Sequence, residues 1–300
     1  MLFLKCIALL SKANIDRYQD KIILTQKNGK LDSLINSNEA YILPLDFENT
    51  KLEYANRAAE LINAYVLQRR GKDGLELVIY LKKLKGDKKF YYPKYNGHFI
   101  ENSIYLFNNN KSDLIKANNL EMLRLARINY NKLGQFSASE NLAYRSKSND
   151  RDTFLKYVNL FHNFCEKDWH FKIYHSYLGD YFRQINADSA DYHFSKALFH
   201  SLNTLDSTTI SSSYTHYSDF LGSVGRFEFA IENALKALDF MSKKSRALDF
   251  RYINTFISIT EIYKDMEDFM KAEEYIKKAA LLAEKNNYKI RNKAIARIYG

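Results

Sequence analysis

Small and large apolar residues in the second half of the chain recur with a period long enough for a pair of helices. Ala190, Ala230 and Ala272, spaced 40 and 42 residues apart, lie over one another in register. A large residue then falls nine positions before each alanine (Tyr181, Leu221, Tyr263), and a second alanine seven positions after it (Ala197, Ala237, Ala279). Ala187, Phe227 and Phe269 precede the first alanines by three residues, and Gly225 stands two before Phe227, where a turn is expected. Small residues at fixed points let two antiparallel helices approach closely, and the large ones beside them fill the gaps. One such hairpin cannot bury its own apolar faces, so at least about three stacked copies are needed.

Composition agrees with long helices. The 300 residues include only 2 prolines and 10 glycines, where average usage would supply roughly 12% of the two together. Collagen, Pro-rich linkers and low-complexity sequence are excluded, and a β-sandwich lacks its turn residues. A content of 46% hydrophobic and 15% aromatic residues excludes disorder. The length allows about two domains or one elongated array. No run of 18 apolar residues occurs, so no membrane span is expected.

The runs from Tyr217 through Gly225 and Ala230 to Leu238, and from Tyr263 through Ala272 to Ala279, resemble tetratricopeptide (TPR) repeats. The family's pattern falls on Tyr214, Tyr217, Ser218, Leu221, Gly225, Phe227, Ala230, Ala234 and Ala237 in the best copy. Tyr174, Tyr177, Tyr181, Ala190, Phe194 and Ala197 make an earlier copy, and Tyr130, Gly134, Phe136, Ser139 and Ala143 a poorer one. The period exceeds the 34 residues usual for the family, and the proline that commonly ends the second helix is missing, so both helices should be about one turn longer. The resemblance implies an all-α, right-handed α-solenoid of antiparallel helix pairs. It implies a non-enzymatic scaffold that holds a protein or peptide partner on its concave face, as in the sensory or regulatory part of a bacterial signalling protein. Transferred residue by residue, that face comprises Lys172, His175 and Arg183, then Thr215 and Asp219, then Asn254, Ile257, Glu261 and Lys264. The clamp that holds a peptide carboxylate in some members is not matched, since Ile128 stands where its first Asn would be.

The expected organisation is an amino-terminal helical segment over 1–45 ended by Pro44, degenerate helical repeats over 46–118, and the solenoid over 119–300. Gly86, Pro93, Asn96-Gly97 and Asn108-Asn109-Asn110 mark 86–112 as a basic, loop-rich interruption. Ser207–Ser213 reads as linker and helix N-cap, and Gly134 and Gly225 as hairpin turns. Ala296, Tyr299 and Gly300 restart the pattern, and the apolar Ile295 and Ile298 there suit a fragment of a longer protein better than a terminal cap. Residues 1–13 read as the buried face of a first helix. Location is expected to be cytoplasmic, with export the alternative if that segment acts as a signal.

The formal charge of +10 is concentrated between Arg69 and Lys94. Arg69, Arg70, Lys82, Lys83, Lys85, Lys88 and Lys89, interleaved with Phe90, Tyr91, Tyr92 and Tyr95, form a basic patch. The alternative function is therefore binding to nucleic acid or another anionic surface, with cations on phosphates and rings on bases. The plain structural reading, a solvated helix end followed by a loop anchored on buried tyrosines, is favoured.

His162, Cys165, His170 and His175 form the only cluster with metal-ligand chemistry, but their spacing does not keep them on one helix face and aromatics surround them. A metal-dependent enzyme built on them is the weaker rival. Two cysteines, Cys6 and Cys165, cannot make a disulfide framework. Gly222-Ser-Val-Gly225 is explained by a turn, and neither a phosphate-binding glycine loop nor a Ser-His-Asp arrangement stands out. No enzyme activity, metal or cofactor is expected.

Overall fold

The computed structural model describes residues 31–68, 70–105, 112–147, 150–242 and 249–285. The apolar segment 1–13, Cys6, Arg69, Asn108–Asn110 and the carboxy-terminal Ala296–Gly300 lie outside the described residues. Among the described residues the chain is all-α: thirteen helices and one 3₁₀ turn, packed consecutively in solenoid-like pairs, with no strand. None of these helices is long and apolar enough to cross a membrane. The chain divides between Phe164 and Cys165 into two compact units.

The first unit contains α1 (Leu31–Ile42), α2 (Leu52–Leu67), a 3₁₀ turn (Gly71–Gly74), α3 (Leu75–Lys83), α4 (Tyr91–Tyr105), α5 (Ser112–Ile128), α6 (Lys132–Ser146) and α7 (Arg151–His162). Its core is wrapped around α2, whose Ala55, Ala58, Ala59, Leu61, Ile62 and Ala64 are all fully buried. α1 stops just before Pro44, which cannot continue a helix. Residues 91–105, expected to lie in a loop-rich interruption, are instead the helix α4. Pro93 sits in its first turn, where an N–H has no partner to lose. Gly97 lies where α4 crosses α3, so close that an added Cβ would stand 3.0 Å from Leu81. The Asn96-Gly97 pair thus serves close packing rather than a turn. A partly buried network then ties α3, α4 and α5: Lys82 donates to Glu101 at 2.5 Å, and Asn118 donates to Glu101 at 2.7 Å and to Asn102 at 3.0 Å.

The second unit contains α8 (Asp168–Phe182), α9 (Ala187–Asn203), α10 (Ser207–Ser223), α11 (Phe227–Ser242), α12 (Asp249–Asp265) and α13 (Phe269–Lys285). Helices α8/α9, α10/α11 and α12/α13 form three hairpins, and α9 packs on α10 and α11 on α12. Ala187, Phe227 and Phe269 each open the second helix of a hairpin. The repeat alanines Ala190, Ala230, Ala197, Ala237 and Ala279 are buried, because the close approach of paired backbones leaves room only for a methyl group. Helix starts are closed by acidic or amide caps: Asn186 accepts from Ser189 N–H at 2.7 Å, Asp206 from Thr209 N–H at 3.1 Å, and Asp268 from Lys271 N–H at 3.1 Å. The cap of α10 is therefore Asp206, and Ser207–Ser213 lies inside the helix rather than in a linker.

Helices α5, α10 and α12 end alike. The N–H groups of Asn131, Arg226 and Asp268 bond the carbonyls of Ala126, Leu221 and Tyr263 at 2.9 Å each. The residue before each donor is left-handed: Tyr130 (φ 52°), Gly225 (φ 76°) and Glu267 (φ 60°). Gly225 occupies the expected turn. Gly134 does not; it lies in the first turn of α6, where its missing side chain makes room for the Tyr91 hydroxyl.

Candidate functional site

The candidate site lies on the first helices of the three hairpins in the second unit. α8 carries Lys172 and His175, with Arg183 directly after it; α10 carries Thr215 and Asp219; α12 carries Asn254, Ile257, Glu261 and Lys264. α10 touches both α8 and α12, which brings part of this set together. The Thr215 hydroxyl stands 3.2 Å from that of Thr255 on α12. Asp219 accepts a hydrogen bond from Ser258 and lies within electrostatic reach of Arg183, Asp180 and Glu261.

Two carboxylates of this set are shifted in the same direction. Burial pushes the Asp219 carboxyl above its ordinary value, and Asp180 adds to the shift, while the Ser258 bond and Arg183 oppose it. Burial likewise raises Glu261, with Asp219 and Asp265 adding to it and Lys264 opposing. Desolvation disfavours the ionised form and neighbouring anions disfavour it further. Asp180 and Ser258, not singled out from the sequence, belong to this group. The repeat register could have indicated Glu261 and Asp219 as equivalent positions, but not Asp180, which reaches them from a neighbouring position on α8.

Two expected groove residues are engaged elsewhere. Ile257 packs against the apolar cluster of Ile253, Ile276, Ala279 and Ala283. His175 turns toward α9, where its Nδ1 stands 2.9 Å from Nδ1 of His193.

Three residues of the basic patch in the first unit, Arg70, Lys82 and Lys89, have intramolecular partners. Arg70 pairs with Asp73 at 3.0 Å and lies over the Tyr65 ring at 4.7 Å. Lys82 belongs to the Glu101 and Asn118 network. Lys89 donates to the Thr50 carbonyl at 3.1 Å. Lys94, only 8% exposed, pairs with Asp87 at 2.6 Å. Lys83, Lys85 and Lys88 are exposed.

The histidine and cysteine cluster is dispersed in role. His170 is buried and its Nδ1 accepts the N–H groups of Glu166 (2.9 Å) and Lys167 (3.3 Å), which seats the start of α8. Burial lowers its pKa to about 4 and raises that of the Cys165 thiol to about 12. A thiol so held is a poor source of thiolate for metal or nucleophilic chemistry. Among the described residues no three His, Cys, Asp or Glu side chains are placed to hold a metal ion.

No protein-family model matches the chain, and no curated protein matches it. A solved structure, BtubC (BKLC) from P. vanneervenii, is similar over 88% of this chain and 92% of that one, at 15% identity and a TM-score of 0.38. At that level the likeness adds nothing to the architecture already described.

Proposed function

We propose that the chain is a non-enzymatic TPR-like scaffold that holds a protein or peptide segment in the groove formed by α8, α10 and α12. The observation that carries this reading is the electrostatic coupling of Asp219 to Arg183 on one side and to Glu261 on the other, across three successive hairpins. Carboxylates kept partly desolvated beside one another gain when a cationic group approaches, so the groove suits a segment that presents a Lys or Arg side chain. The long-period repeats, resembling those of regulatory arrays, support a place in the sensory or regulatory part of a bacterial signalling protein. Fold alone does not fix that role.

The test is capture of partner by the immobilised chain, compared with Asp219→Lys and Glu261→Lys variants whose far-UV circular dichroism is unchanged. Capture should be lost in both variants. Undiminished capture would remove the groove from consideration. Exposed Lys83, Lys85 and Lys88 support the second reading, an anionic surface such as nucleic acid, whose mark would be an affinity that falls steeply with salt.

A further inference from the structure

Five aromatic rings from α8 and α9 form one continuous column inside the first hairpin of the second unit. Phe171 stacks on His200 (centroids 5.3 Å apart, planes at 26°), and His200 stacks on His175 (5.6 Å, 9°). His175 meets His193 (5.2 Å, 31°), and His193 stacks on Phe182 (5.5 Å, 8°). The column alternates strictly between the helices, so each contact also holds α8 to α9.

Three of the five rings can take up a proton. The Nδ1 atoms of His175 and His193, 2.9 Å apart, form a hydrogen bond only if one of them is unprotonated, because an imidazolium donates from both nitrogens and accepts from neither. The pair therefore accommodates one proton and is broken by a second. His200 has a counter-ion, Asp168, whose Oδ1 lies 2.8 Å from its Nδ1, and Asn203 donates to the same oxygen at 3.2 Å. Charge on His200 is thus supported, but it lies directly beneath His175.

Other charged residues stand on the same helices and on α10. Lys172 on α8 and Lys196 on α9 are cations, the latter over the Tyr192 and Phe199 rings at 5.7 and 5.8 Å. Asp191 on α9 is held by the Tyr217 hydroxyl of α10 at 2.8 Å and by Arg226 at 3.3 Å. Asp180 lies in the group around Asp219. Burial lowers the pKa of His193 as well.

The geometry points to an acid-sensitive clasp: as protons accumulate in the column of Phe171, His200, His175, His193 and Phe182, the imidazole pair breaks and α8 parts from α9, while α12 and α13 stay paired. Burial at His193 resists its protonation. The α12/α13 hairpin contains no histidine among its residues, and it is an internal control.

Hydrogen exchange read by mass spectrometry on the full chain at pH 7.5 and 5.5, corrected for the intrinsic pH dependence, tests this. Protection across α8 and α9 should fall about ten-fold more than across α12 and α13, the equivalent of one pK unit of differential proton uptake. In the His175→Phe/His193→Phe double variant, which keeps the stack and removes both members of the bond, the difference should vanish. A fall no greater than that of α12 and α13, or an equal fall in the double variant, would overturn the proposal. Imidazole nitrogen shifts of the wild-type chain give a second readout that needs no variant. His193 should remain neutral below its ordinary value of 6.5, and titration of its ring at or above that value would also overturn the proposal.

Discussion

Gly179 of α8 lies flat against the Phe194 ring of α9, so close that a Cβ on the glycine would stand 2.9 Å from three ring carbons. The same ring carries Arg183 at 5.7 Å and meets Phe220 of α10 at 5.1 Å. It therefore cannot retreat without disturbing the next hairpin. Gly179→Ala should destabilise the second unit by about 1–3 kcal/mol, measured by urea unfolding.

Tyr130 and Glu267 occupy the left-handed position that Gly225 occupies in the middle hairpin. A side chain there costs roughly 1–2 kcal/mol, partly offset by the roughly 0.5–1 kcal/mol of chain entropy that glycine loses. Tyr130 is 87% exposed and has little packing to lose. Tyr130→Gly and Glu267→Gly should each raise stability by about 0.5–1 kcal/mol, read as an increase in the urea midpoint at unchanged slope.

Asp87 and Asp219 should respond oppositely to acid. Hydrogen bonds from Lys94 and Arg124 hold the Asp87 carboxyl below its ordinary value of 3.8. The folded chain thus binds this proton more weakly than the unfolded one. The stabilisation is present above pH 3.8 and is lost as pH falls through the lower folded value. Asp219 is raised, so its charge costs stability at neutral pH and the cost is relieved on acidification. At pH 7, Asp87→Asn should lower the melting temperature by leaving the Lys94 ammonium buried without its carboxylate, and Asp219→Asn should raise it. Asp219→Asn should also weaken partner capture, the exchange of stability for function expected of a binding site.

Lys83, Lys85 and Lys88 are exposed, whereas the cations around them have intramolecular partners. Their joint replacement by Ser should change stability by less than about 0.5 kcal/mol. A fluorescent single-stranded oligonucleotide should show no binding at physiological salt by anisotropy. Tight binding with a steep salt slope, abolished in the triple variant, would move the function to the first unit.

Much of the second unit was legible in the sequence because its constraint is local and repeated: Ala190 and Ala230 are buried for the same reason, one period apart. The first unit was less legible. α2 is enclosed on nearly every side, which erases the polar stripe that marks a helix, and Asn96-Gly97 carries turn chemistry into a helix crossing. The candidate site was legible in part, since Asp219 and Glu261 share a register position. The imidazole column was not. An antiparallel hairpin with its turn at Arg183–Asn186 sets His175 opposite His193, but no spacing along either helix announces that pairing.

The buried serines of α10 have a further consequence. Ser211 returns its hydroxyl to the Thr208 carbonyl and Ser218 donates to the Ala230 carbonyl, so α10 enters the core without a continuous apolar strip. When the chain unfolds, the segment Ser207–Ser213 offers water-compatible hydroxyls where most core helices would expose hydrocarbon. Self-association of unfolded chains should therefore begin outside Ser207–Ser213, for example at the Ala- and Leu-rich α2, with that serine-rich segment acting as a soluble spacer.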